Sequence, residues 1–248
     1  MSCPPRPGAR AVRRILPMNG PQEATDAPDL SSVPLFPLPS VVLFPRAVLP
    51  LHVFEERYKV MMADALRGRR QIAMALLRPG WERDYHGKPT IDPVVCVGNI
   101  LSHERLPDGK YNLLLQGQSR ARIVSERDSD TPYRLAELEA LAETEPPPAD
   151  MDAERERLSR LFRTAMLGST PVGRQFRTLL AAGELRTQDV ADLVAFNYLE
   201  DVALKQLLLG EGDVLRRVRR TLDALEASRP ALQAAAYHAA RESDASLN

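Results

Sequence analysis

The pattern of hydrophobic and polar positions in this chain changes period once. From Val33 to about residue 143 apolar residues alternate with polar ones or gather in short blocks, as strands require. Beyond Pro146-Pro147-Pro148 they recur every three or four residues, as amphipathic helices require. The first half opens on Val33–Tyr58, β-prone and apolar but punctuated by Pro34, Pro37, Pro39, Pro45 and Pro50. Each proline fixes φ, removes one N–H and drives its predecessor towards extended geometry. The run therefore predicts short extended pieces joined by bends, at a sheet edge or barrel rim.

Further along, Val48–Val53 suits a strand. Glu55–Arg67 suits a helix, with Tyr58, Met61, Met62, Ala65 and Leu66 on one side and Gly68 as its stop. Gln71–Leu77 reads as a strand buried on both faces, and Pro79–Pro93 as a long polar loop. Val94–Leu106 and Tyr111–Gln116 flank the turn signal Leu106-Pro-Asp-Gly109, which predicts a hairpin. Gly117 is expected to end that arm, with a separate strand over Arg120–Ser125. Tyr133–Ala142 alternates well, although its apolar pattern also permits a helix.

In the second half the spacing predicts five helices: Ala153–Leu167, Val172–Ala182, Thr187–Asn197, Val202–Leu209 and Val214–Leu225. Val214, Leu215, Val218, Leu222 and Leu225 form the apolar stripe of the last. Arg216, Arg217, Arg219 and Arg220 are expected on its solvated face. Residues 1–32, rich in Pro, Gly, Ala and charge, read as a disordered extension within which Met18 is an alternative start. The expected organisation is thus an extension over 1–32, a β-rich unit over 33–145, a helical unit over 150–230 and a tail over 231–248.

Composition narrows the function classes. Lys+Arg and Asp+Glu are equal at 33 each, so no global basic field points to nucleic acid or an anionic membrane. The two cysteines, Cys3 and Cys96, are far apart, which excludes a disulfide scaffold and predicts a reduced, cytoplasmic protein with Cys96 buried. No apolar stretch is long enough to span a membrane, and the arginine-containing start lacks a signal peptide's apolar region.

Two blocks of residues carry a family resemblance. The first is Val33-Pro-Leu-Phe-Pro-Leu38, Val41-Val-Leu-Phe-Pro45 and Leu49-Pro-Leu-His-Val-Phe-Glu55 with Arg57-Tyr58. The second is Val97-Gly98 with Ile100, Leu106-Pro-Asp-Gly-Lys-Tyr-Asn-Leu113, Gly117 and Arg120-Ala-Arg-Ile123. In these, over about residues 33–227, the chain resembles the Lon N-terminal, or Lon substrate-binding, domain family. The resemblance implies an α+β fold, a PUA-like β pseudo-barrel with one helix followed by a C-terminal α-helical bundle. The family often has Gly where this chain has Ser40 and Arg46, which implies a different bend at Arg46, or one with φ below zero.

The complete Lon protease follows this domain with an ATPase and a Ser-Lys peptidase. Here no G-x-x-x-x-G-K-[ST] exists, since Gly80 to Gly87-Lys88-Pro89 has the wrong spacing and Pro in the hydroxyl position. No room remains for a peptidase, so the expectation is a stand-alone, non-catalytic domain that needs no cofactor. His52, His86, His103 and His238 lack metal-ligand spacing, and His52 reads as packed and hydrogen-bonded. Glu55 and Glu56 read as capping and dipole-complementing residues, with Arg57 pairing locally.

The resemblance implies recognition of unfolded polypeptide or of a protein partner, with a separate protease as a further partner. RNA binding is the alternative, on fold analogy alone. Trp81 and Tyr85 in the polar loop have two readings, a cap on the barrel or exposed anchors for apolar side chains. Met61 and Met62 have core packing or an adaptable peptide groove as theirs. With Arg46, where this chain has its own loop, these four complete the candidate peptide-contacting set.

Overall fold

The computed structural model describes residues 29–228 apart from 86, 165, 166, 168 and 169. Residues 1–28 of the expected extension, the 231–248 tail, Cys3, His86 and His238 lie outside the described residues. The strands are β1 (Val33–Leu38), β2 (Val48–Val53), β3 (Gln71–Leu76), β4 (Val94–Arg105), β5 (Tyr111–Arg127) and β6 (Leu135–Ala140). Helix α1 (Glu56–Arg67) joins β2 to β3, and a 3₁₀ turn (Trp81–Asp84) lies in the β3–β4 loop. The second half supplies α2 (Pro148–Arg163), α3 (Pro171–Ala182), α4 (Thr187–Tyr198), α5 (Val202–Leu209) and α6 (Val214–Ala227). Among the described residues no helix is long and apolar enough to cross a membrane.

The strand order is β2-β5-β4-β3-β1-β6, and β5 also pairs with β6, so the sheet closes on itself. Closure is possible because β5 is not broken at Gly117, as the sequence predicts, but continues to Arg127 with a register shift at that point. Its first part carries β2 and its last part β6. A strand that changes partner midway needs an irregularity to turn, and the bulge provides it.

The prolines of β1 fit this pairing. Leu35 N–H donates to the Arg134 carbonyl, so the missing N–H of Pro37, two residues on, faces the same side. There β6 has already diverged, since it pairs only with Val33 and Pro34. Pro34 lies ahead of the β3 register, which begins at Leu35↔Ala73. Neither proline removes a ladder bond, and β1 sits between two strands rather than at an edge.

Alternation sorts the barrel into two cores. Val33, Leu35, Ala73, Ala75, Val95, Val97, Ala121, Ala136 and Leu138 form one cluster, with alternate residues turned to the lumen. Four alanines among them keep the lumen narrow and filled. The other face, with Phe36, Ile72, Met74, Cys96 and Leu115, packs under Tyr58, Met61, Met62 and Ala65 of α1 and joins the helical core. Burying Met61 and Met62 stabilises the fold by about 1.5–3 kcal/mol each.

The helices start where their caps place them. Thr170 accepts from the Gly173 N–H, Asp201 from the Ala203 and Leu204 N–H groups, and Asp213 from the Arg216 N–H. Glu55 precedes α1 but makes no side-chain cap, because its carboxylate is engaged elsewhere. Two long-range bonds seat α5 on the barrel: Gln206 Nε2 donates to the Val94 carbonyl at 2.8 Å and Arg120 Nε to that of Leu209 at 3.1 Å.

Burial holds the Tyr58 phenol up at about 12. Tyr133 is likewise raised to about 12, by burial and by the hydrogen bond it donates to Asp64. An unfolded tyrosine titrates near 10. The stabilisation is therefore complete below that value and is lost as the pH rises from about 10 through 12, where the unfolded chain releases protons the folded one retains. The thermal midpoint is expected to fall between about pH 9 and about pH 11.5. An unchanged midpoint across that interval would refute the assignment.

Candidate functional site

A groove of about 1310 Å³ runs along the end of β1, the loop after it, β2, the start of α1, the β3–β4 loop and the approach to β6. Phe196, Glu200 and Lys205 from the helical half also line it. One wall is a stack built from residues distant in sequence. The Phe36 and Tyr58 rings lie 4.6 Å apart, and the Arg57 guanidinium lies 4.7 Å from Tyr58 and 5.3 Å from Tyr85. The Tyr85 ring lies 5.4 Å from Trp81. The result is a continuous aromatic and cation–π surface.

Glu55 pins this wall. Tyr85 Oη donates to Glu55 Oε1 at 2.6 Å, and Arg57 Nε donates to Glu55 Oε2 at 3.1 Å. Burial and the Glu55 carboxylate both push the Tyr85 phenol above its ordinary value. The polar groups of Tyr85, Arg57 and Glu55 thus bond to one another, leaving ring faces and aliphatic surface for a ligand. Phe54, half-exposed, adds an apolar side chain where β2 meets α1.

The five sequence-predicted residues fall in three places. Trp81 and Tyr85 line the groove, and Trp81 also packs against the lumen cluster. Met61 and Met62 are fully buried beneath α1, which takes both off any contact surface. Arg46 is outside the groove. It has φ +64, in the left-handed region rather than below zero, and its Nε lies 3.2 Å from Asp189 Oδ2 at the head of α4. His52 is hydrogen-bonded, to Asn112 at 2.8 Å, but exposed rather than packed.

Arg46 belongs to a second, polar cavity of about 250 Å³ between barrel and helices. Arg120 Nη2 donates to Asp192 Oδ1 at 2.6 Å, and Arg217 Nε approaches the same oxygen at 3.3 Å. Arg217 also pairs with Glu143 at 2.7 Å. Arg217 is 1% exposed, which corrects its expected place on a solvated face. Burial alone would lower the Arg120 guanidinium, but the Asp192 charge and hydrogen bond outweigh it and the value rises. Burial raises the neighbouring Cys96 thiol to about 12, so it stays protonated and inert.

Reasoning from sequence missed Phe36 and Arg57 as parts of the wall, and Asp192 and Arg217 as parts of the clasp between the halves. The adjacent Arg57-Tyr58 pair was the only local signal.

Comparison with known proteins gives a consistent result. A family model described as the ATP-dependent protease La (LON) substrate-binding domain matches residues 32–227. Lon protease of Trichlorobacter lovleyi is 31% identical over 229 residues, covering 89% of this chain and 27% of that protein. Lon protease of Dictyoglomus thermophilum is 28% identical over 204 residues, covering 80% and 24%. The chain therefore spans about a quarter of the length of these curated relatives. A Lon N-terminal domain protein from Xanthomonas campestris superposes with a TM-score of 0.55 at 25% identity, over 78% of this chain and 98% of that one. The N terminal domain of Mycobacterium avium complex Lon protease does so at 0.63 and 19% identity, over 79% and 98%, a likeness of fold.

Proposed function

Because the chain belongs to the Lon substrate-binding domain family, we propose that it is a non-catalytic module that captures unfolded polypeptide in the groove walled by Trp81, Tyr85, Arg57, Tyr58 and Phe36. The observation that carries this reading is the aromatic stack lining a large open groove. Rigid aromatic faces gain apolar contact area at low entropic cost and accept varied side chains. Two of the guanidiniums in the groove are committed to carboxylates, Arg57 to Glu55 and Arg134 to Glu126. That favours a polypeptide ligand over the phosphates of RNA. Hand-over of captured chains to a separate protease in the cytoplasm is the finer form of the same proposal, tested by co-purification.

Trp81 is the only tryptophan in the chain, so binding has an intrinsic reporter. Titration with a permanently unfolded casein is expected to shift its emission to the blue as the indole loses water. Trp81→Ala, followed by anisotropy of labelled casein, is expected to weaken binding about tenfold or more, the range of an aromatic anchor. Unchanged emission together with unchanged affinity in the variant would remove Trp81 from the site.

A further inference from the structure

We infer that the free edge of β2 is a main-chain docking edge and that its occupant is an extended segment of polypeptide that joins the sheet as an added strand. The inference rests on the polypeptide-binding reading above and deepens it. Among the described residues β2 pairs with β5 alone. The register sets which groups are free. Gly117 N–H donates to the Ala47 carbonyl at 2.9 Å, and Arg46 N–H, rather than that of Ala47, donates to the Gly117 carbonyl at 2.8 Å, so Arg46 and Ala47 form a bulge opposite Gly117 from which the Ala47 carbonyl points to β5.

In an antiparallel ladder bonded and non-bonded pairs alternate. Leu49, Leu51 and Val53, opposite Leu115, Leu113 and Tyr111, are then the residues bonded to β5. Val48, Pro50 and His52 turn their main-chain groups away from it. The edge thus offers the carbonyls of Val48, Pro50 and His52 and the N–H groups of Val48 and His52. Pro50 sits at an outward position, so it costs the β5 ladder nothing and leaves a single gap in the edge.

The edge opens onto the groove. Leu49, Pro50, Leu51, His52 and Val53 all line it, and Phe54 continues the row. A row of unpaired donors and acceptors with a two-residue period is complementary to another extended backbone and to little else. Main-chain pairing is indifferent to side-chain identity, which suits a module that must accept many unfolded sequences. The aromatic wall would then add preference without demanding a motif.

A casein-derived peptide of about ten residues that binds the intact protein tests this when each amide is N-methylated in turn, since methylation removes one donor at a time. Loss of about tenfold at two or more alternate amides, with the intervening ones tolerated, is the expected result. Uniform tolerance in a peptide that still binds would overturn strand addition while leaving polypeptide binding standing. A parent peptide that does not bind at all would overturn both. His52→Pro provides the protein-side arm, read against His52→Ala, because both lose the exposed side-chain bond to Asn112 but only the proline removes the outward N–H, and neither removes a main-chain bond to β5. Relative to His52→Ala, the proline variant is expected to keep the thermal midpoint and lose peptide affinity about tenfold. Retained affinity, or an edge occupied instead by a second copy as a concentration-dependent dimer that His52→Pro dissolves, would overturn the assignment.

Discussion

Asp192→Ala is expected to lower the unfolding free energy by about 3–5 kcal/mol, measured by urea denaturation. The size follows from what remains. Asp192 is almost fully buried and serves both Arg120 and Arg217, themselves buried. Removing the carboxylate leaves two guanidiniums in the interior with only Glu143 between them. An uncompensated buried charge costs more than the intact pair contributes, so the loss reports a penalty rather than the worth of a bond. Arg217→Met in the Asp192→Ala background is expected to recover part of the loss, since one stranded charge is gone. A change below about 1 kcal/mol would mean that water enters the cavity and solvates the guanidiniums.

Gly117→Ala is expected to cost about 3 kcal/mol and to weaken polypeptide binding as well. A Cβ at Gly117 would lie 2.1 Å from the Phe44 carbonyl oxygen and 2.8 Å from its carbonyl carbon. Both are main-chain atoms and cannot rotate away. Either β5 or the segment from Phe44 to Ala47 must move, and that segment carries Arg46 to Asp189 at one end and continues into the groove wall at Pro39–Val42 at the other. Gly68→Ala, whose added carbon would meet nothing nearer than 3.6 Å, is the control and is expected within about 0.5 kcal/mol of the parent. Equal stability of the two variants would contradict the close approach at Gly117.

Gly117 also illustrates what the sequence could convey. A glycine between two β-prone runs reads as a break, and a bulge does sit there. Its second cause, the Phe44 carbonyl more than 70 residues earlier, leaves no mark in local pattern. The same division holds elsewhere. The Met61 and Met62 spacing located the buried face of α1, and the period change at Pro146–Pro148 separated strands from helices, because both depend on near neighbours. Closure of β5 onto β6, by contrast, depends on pairings such as Ile123↔Leu138 that alternation alone cannot assign.

In the groove, Trp81 and Tyr85 were legible because aromatic residues in a polar loop stand out by composition. Phe36 was hidden within a proline-rich apolar run, and Arg57 looked like a local helix charge until Tyr85 was brought to it from 28 residues away. Arg217 fails on period alone. A helix face carrying four arginines looks solvated until Asp192 on another helix supplies a counter-charge.

The placement of β1 sets a schedule for synthesis. Its neighbours are β3, reached at Ala73, and β6, reached at Ala136, so the strand stays incompletely paired until roughly 100 further residues have been translated, about 5–20 s at usual elongation rates. Throughout that interval Val33–Phe44 leaves the ribosome as an apolar chain with an unfinished edge. Its prolines, silent in the finished ladder, are then the residues that deny a neighbouring nascent chain a continuous row of donors.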